Sequence, residues 1–152
     1  MIKRVIKIIL PIFILASCGY SPVYKDIDNI NFSIDILELN GDRSINNKIK
    51  SKLINYTLDE KEKNFTISIN STYKKNIVAK DTTGAATEYK IIIETEFKIL
   101  LPNSEKQLKL VESFNMQKIN DKLEEQDYEE SIKNSLSNLI ARKLILRLSQ
   151  LK

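Results

Sequence analysis

Hydrophobic and polar residues alternate along this chain with two different periods, and the period predicts each element. Phe32, Ile34 and Ile36 alternate with Ser33 and Asp35. That is the period-two pattern of a half-buried strand, and the Asn40-Gly41 pair is a turn signal that would end it. Ile45, Ile49, Leu53 and Tyr56 then recur three or four positions apart, which predicts a helix from Arg43 to Tyr56 with one apolar face. Asp42 or Ser44 is its expected N-cap. Lys48, Lys50 and Lys52 fall off the apolar face and are expected in water.

The period returns to two at Phe65, Ile67 and Ile69, which alternate with Thr66, Ser68 and Asn70 in a strand that can run on through Val78. Asp81-Thr82-Thr83-Gly84 reads as a turn. From Thr87 to Leu101, Tyr89, Ile91, Ile93, Phe97 and Ile99 share one phase, while Glu88, Lys90, Glu94, Glu96 and Lys98 occupy the other. One face is therefore expected in a core and the other in water. Pro102-Asn103-Ser104 turns the chain into a fourth strand carrying Leu108, Leu110, Phe114 and Met116. Behind Asp121-Lys122-Leu123-Glu124, capping-box in form, Tyr128, Ile132, Leu136, Leu139, Ile140 and Leu144 predict a long helix reaching Leu148. Tyr89, Phe97, Phe114 and this stripe are expected in the core. The order β-α-β-β-β-α predicts an α+β fold, a roughly four-stranded, mostly antiparallel sheet covered on one face by two helices.

The first residues follow neither period. Met1 to Lys7 is basic, and Val5 to Ala16 is apolar apart from Lys7 and Pro11. This run is shorter than the ~20 residues of a membrane-spanning helix and suits a secretory signal. Leu15-Ala16-Ser17-Cys18 has the aliphatic-small-small-Cys form of a bacterial lipobox, and it falls on the chain's one cysteine. The thiol is the group that becomes the lipid-bearing thioether. The chain then divides into a lipoprotein signal peptide (1–17), a lipidated tether (18–28) and a domain (29–152). Gly19, rather than Asp, follows the cysteine, which favours the outer membrane, periplasmic side.

Composition narrows the chemistry. With no His and one Cys, there is no His-activated nucleophile and no His/Cys set with zinc-ligand spacing. Glu88, Glu94 and Glu96 sit on an alternating strand as a solvated face. The expectation is a binding or structural protein without catalytic residues, metal or cofactor. Lys3, Arg4 and Lys7 account for three of the 24 basic residues, leaving 21 basic against 20 acidic from Cys18 onward. That near balance argues against nucleic acid as a partner.

Several strings, in order, carry a resemblance to a family. Cys18-Gly19-Tyr20-Ser21-Pro22-Val23-Tyr24 is followed by Ala79-Lys80-Asp81-Thr82, Thr87-Glu88-Tyr89 and Leu100-Leu101-Pro102. After these come Ser113-Phe114, Glu125-Gln126-Asp127 and the Leu139 to Leu148 helix with Ala141-Arg142-Lys143. Together they resemble the lipopolysaccharide-assembly lipoprotein LptE (RlpB) family. Residues 26–78 match only in the order of elements, and the turn at Gly84 is short, with no aligned Arg. The resemblance implies an outer-membrane lipoprotein that plugs the LptD β-barrel, assists its assembly and takes part in lipopolysaccharide transport. Lys74, Lys75, Lys80 and Lys90, flanking the turn tip at Gly84, become candidates for contact with lipid A phosphates or the barrel. A periplasm-facing lipoprotein binding another envelope protein or a small ligand is the alternative.

Replacing Cys18 with Ala should leave an unprocessed precursor that retains residues 1–17. Intact-mass analysis of native protein should show a diacylglyceryl-bearing Cys18 at the mature N-terminus; an unmodified thiol there would refute the lipobox.

Overall fold

The computed structural model describes residues 32–57, 61, 63–101 and 104–151. The signal peptide, Cys18, the tether and the Pro102-Asn103 turn lie outside the described residues. The elements are β1 (Phe32–Gly41), α1 (Arg43–Leu53), a 3-10 turn (Ile54–Tyr56), β2 (Lys63–Lys80), β3 (Ala86–Leu101), β4 (Ser104–Gln117) and α2 (Lys122–Ser149). Their order is the expected β-α-β-β-β-α. The four strands form one sheet in the order β1-β2-β3-β4. β1 runs parallel to β2, while β2, β3 and β4 form an antiparallel meander.

Both helices lie on one face of the sheet, α1 over β1 and β2, α2 over β3 and β4, and they pack against each other. Alternation delivers the core to that face. Phe65, Ile67 and Ile69 of β2 and Ile91, Ile93, Phe97 and Ile99 of β3 are buried there. They meet Ile45, Ile49 and Leu53 of α1 and Ile132, Leu136, Ile140, Leu144 and Leu148 of α2. Each such side chain contributes about 2 kcal/mol on transfer from water. Ser71 and Thr95 sit in the same inward phase, fully buried, and their hydroxyls hydrogen-bond each other at 3.0 Å. Asp42 caps α1 by accepting from the Ile45 amide, and Asp121 caps α2 by accepting from Leu123 and Glu124.

The structure corrects three details. Phe114, Tyr128 and Leu139 are each about 40% exposed instead of belonging to the core. Phe114 and Tyr128 meet edge to face over the outer margin of β4, with ring centroids 6.4 Å apart. These residues keep the period of β4 and α2, but β4 is an edge strand and α2 does not reach beyond it. Lys48 turns back and pairs with Glu130 of α2 at 2.6 Å, linking the two helices. Tyr89, also expected in the core, is half-buried, with the Lys75 ammonium over its ring.

β1 stops at Gly41, level with Ser71. Gly41 has φ +83°, and an added Cβ would lie 2.1 Å from the Ser71 carbonyl oxygen. Gly84 has nearly the same φ, +86°, but nothing within 4 Å of an added Cβ. The pair separates steric clash from backbone strain. Gly84→Ala should cost about 1 kcal/mol of unfolding free energy, the left-handed penalty alone. Gly41→Ala should cost at least about 3 kcal/mol, since the backbone must also shift to relieve the clash. Urea unfolding of both variants checks the difference.

Candidate functional site

Beyond Ser71 the sheet has lost β1 and, among the described residues, consists of β2, β3 and β4. Past the Glu88–Gln117 pair only the β2–β3 hairpin continues, to a tip at Gly84. A two-residue period places Lys74 and Lys75 on opposite faces, and their surroundings differ accordingly.

Lys75 faces α2. Its ammonium donates to Glu125 and Glu129, both at 2.8 Å, and lies 4.3 Å from the centre of the Tyr89 ring. The Tyr73 hydroxyl donates to Glu129 at 2.7 Å, and Lys133 sits 4.3 Å from the centre of the Tyr73 ring and 3.1 Å from Glu129. Burial alone would raise the Glu129 carboxyl, but hydrogen bonds from Lys75, Tyr73 and Lys133 outweigh it and hold the group down to about 2. Burial and then the Glu129 hydrogen bond push the Tyr73 hydroxyl above its usual range, so it remains a donor. For Lys75, burial works against the charge, and bonds to the two carboxylates reverse that and raise its pKa. This cluster clamps α2 onto the sheet.

Lys74 and Lys90 face the other way, onto the side of the sheet that neither α1 nor α2 covers. Lys74 is level with Ile92 and Ser113, and Lys90 with Asn76 and Asn115. The two lysines are therefore diagonal neighbours, about 7–8 Å apart at the backbone. Lys80 is level with Ala86 on the exposed stem of the hairpin. Among the described residues none of these three forms an ion pair. The acids on that face are largely engaged, Glu94 with Lys109 at 2.6 Å and Glu105 with Lys98 at 3.6 Å. The bond from Lys109 holds Glu94 below the usual carboxylate range. Lys74 and Lys90, flanked by the Asn76 and Asn115 carboxamides and with Glu94 acting on Lys74 from the same face, can bind a phosphate or carboxylate.

The tip is rigid by its own chemistry. Asp81 accepts from the Thr83 hydroxyl at 2.6 Å, the Thr83 amide at 2.8 Å and the Ala85 amide at 3.0 Å. The Thr83 hydroxyl, followed by these amides, lowers the Asp81 pKa. The donors of the turn therefore point inward, and of its threonines Thr83 is already committed. Of the four lysines and the glycine proposed from sequence, the structure brings Lys74 and Lys90 together, leaves Lys80 and Gly84 on the hairpin, and separates Lys75. Alternation alone could have parted Lys74 from Lys75. The Lys74–Lys90 diagonal depends on strand register, and the Glu125–Glu129 partners on the docking of α2; neither is local. Among the described residues, no group of three or more His, Cys, Asp or Glu is placed to hold a metal.

A four-stranded mixed sheet with two helices in the order β-α-β-β-β-α is an α+β fold that matches rare lipoprotein B, the LptE (RlpB) fold. The structure is similar to that of rare lipoprotein B from Shewanella oneidensis, with TM-score 0.58 and 16% identity over 76% of this chain and 90% of that one. A minor lipoprotein from Acinetobacter baumannii matches with TM-score 0.53 and 12% identity, over 78% and 89% of the two chains. Lipoprotein B from Nitrosomonas europaea matches with TM-score 0.54 and 11% identity, over 79% and 86%. No family model matches the sequence, and no curated protein does.

Because the folded-state pKa of Glu129 lies below its ordinary 4.5, its contribution is complete above about pH 4.5 and is lost as pH falls toward 2. Allowing for solvent screening, that contribution is on the order of 2 kcal/mol. Glu129→Gln should lower the melting temperature at pH 7 and flatten the loss of stability between pH 4.5 and 2. Thermal melts across that range check both effects.

Proposed function

We propose that the chain is an outer-membrane lipoprotein, anchored through Cys18 and facing the periplasm, that seats in the LptD β-barrel, assists its assembly and takes part in lipopolysaccharide transport. The observation that carries this reading is the coincidence of two independent features. The fold is shared with lipoproteins from three other bacteria, and the chain's one cysteine closes a lipobox behind a short apolar run. Two acyl chains of a lipidated cysteine give stable membrane attachment, each buried methylene adding ~0.8 kcal/mol.

A plug needs a well-packed body, and the helix-covered sheet supports that reading. The unpaired Lys74, Lys80 and Lys90 suit phosphate groups of lipid A or acidic groups on a barrel wall. Lys75, held between Glu125 and Glu129, contributes to the frame beneath them. Nothing in this role asks for a cofactor.

Full-length protein purified from native membranes with its anchor intact should bring down a large β-barrel. Recovery without one would favour a lipoprotein serving another envelope partner. Changing Lys80 and Lys90 together to Glu should reduce lipopolysaccharide binding at least severalfold while moving the melting temperature by under about 2 °C, since both side chains are free of ion pairs. Unchanged binding would make them ordinary solvated lysines.

A further inference from the structure

The backbone of β2 has a free edge. Ser71 directs its carbonyl toward β1, where it accepts from the Asp42 amide at 2.7 Å. In an antiparallel ladder the N–H and C=O of one residue point to the same side, and alternate residues share that direction. The β2–β3 register is unbroken from Thr66 to Ile77. Tyr73, Lys75 and Ile77 therefore aim both backbone groups away from β3, into the space β1 has vacated. The close contact of the Ser71 and Thr95 hydroxyls, 3.0 Å, fits this direction, since side chains approach most closely at pairs that exchange no ladder bonds. Among the described residues nothing meets the edge.

β4 offers a free edge too, but most of its charges are paired: Lys109 with Glu94, Glu112 with Lys143, Glu105 with Lys98. The β2 edge carries a basic excess. Thr72, Lys74 and Asn76 line it on the open face, with Lys90 behind Lys74 and Lys80 beyond; Glu94, diagonal to Lys74, acts on it electrostatically while bonding Lys109. On the helix face it presents Tyr73 and Ile77, the latter 52% exposed. Pairing with a second copy of the same edge is disfavoured, because antiparallel registers centred on residues 73–75 bring Lys74 or Lys75 close to its own counterpart.

We propose that the edge of β2 from Thr72 to Ile77 takes up an extended strand from a protein partner, with acidic residues opposite Lys74 and apolar residues toward Tyr73 and Ile77. Main-chain bonds to the outward groups supply affinity, and the alternating side chains supply selectivity. The bulges between Ile77 and Ala79 and between Ala79 and Lys80 end the pairing surface on the tip side, and Gly41 ends it on the other. The site thus accepts about six residues. This goes beyond the proposed membrane role and does not depend on lipopolysaccharide as a ligand.

The test uses full-length protein in detergent and residue-resolved amide exchange by NMR. The probes are two seven-residue peptides alternating Val with Glu or Val with Lys. The Glu peptide should slow exchange at Tyr73, Lys75 and Ile77 at least tenfold and leave the outer edge of β4 unchanged; the Lys peptide should do neither. Lys74→Glu, at an exposed position, should reverse the preference, and raised salt should weaken the Glu peptide on the unaltered protein. No protection by the Glu peptide, equal protection by both peptides, or protection on β4 would overturn the proposal. So would protection that rises with protein concentration alone, which would make a second copy the occupant.

Discussion

The parallel pairing of β1 with β2 shapes everything else in the described domain. Parallel neighbours cannot be joined by a tight hairpin, so the chain must leave the sheet and return across one face before β2 begins. It leaves at Gly41, where a positive φ and a contact of 2.1 Å to an added Cβ restrict the position to glycine. Asp42 immediately starts the return helix by capping α1. β2 is not bound by that stop and continues nine residues past Ser71. The four-stranded base, the three-stranded upper sheet and the free edge all follow from this mismatch in length.

The upper sheet loses the cover of α1 but keeps that of α2, and the polar cluster at Glu129 is the consequence. The inward phase of β2 turns from Ile67 and Ile69 to Ser71, Tyr73 and Lys75 as it climbs. Apolar packing gives way to hydrogen bonds just where the helices begin to leave. A lysine beneath a helix is costly unless paired; here two carboxylates from successive turns of α2 meet it, and Tyr73 and Lys133 satisfy the remaining oxygens. The cluster also sorts the basic residues of this region by role. Lys75 and Lys133 are neutralised within the frame, while Lys74, Lys80 and Lys90 keep their charge for the outside.

A fold is compatible with many functions, so the lipoprotein-like architecture alone does not define what the upper sheet meets. The distribution of its free groups is more specific. Among the described residues, ammonium groups without an ion pair lie on the face that α1 and α2 leave open, the upper edge of β2 has no neighbouring strand, and the tip turns its own donors inward onto Asp81. The face suits anions and the edge suits an extended chain.

Local periodicity alone determined the order and type of all six major elements, the inward phase of β2 and β3, and the turns at Gly41 and Gly84. These are short-range properties, set by whether side chains repeat every two residues or every three to four. Tertiary structure decided the rest. It made β1 parallel to β2, exposed Phe114, Tyr128 and Leu139 because β4 is an edge, turned Lys48 toward Glu130, and divided the four candidate lysines between a clamp and an open face. Each of these depends on which strand or helix lies alongside. Neighbours distant in sequence meet only when the whole sheet has set its register, and no local pattern encodes that meeting.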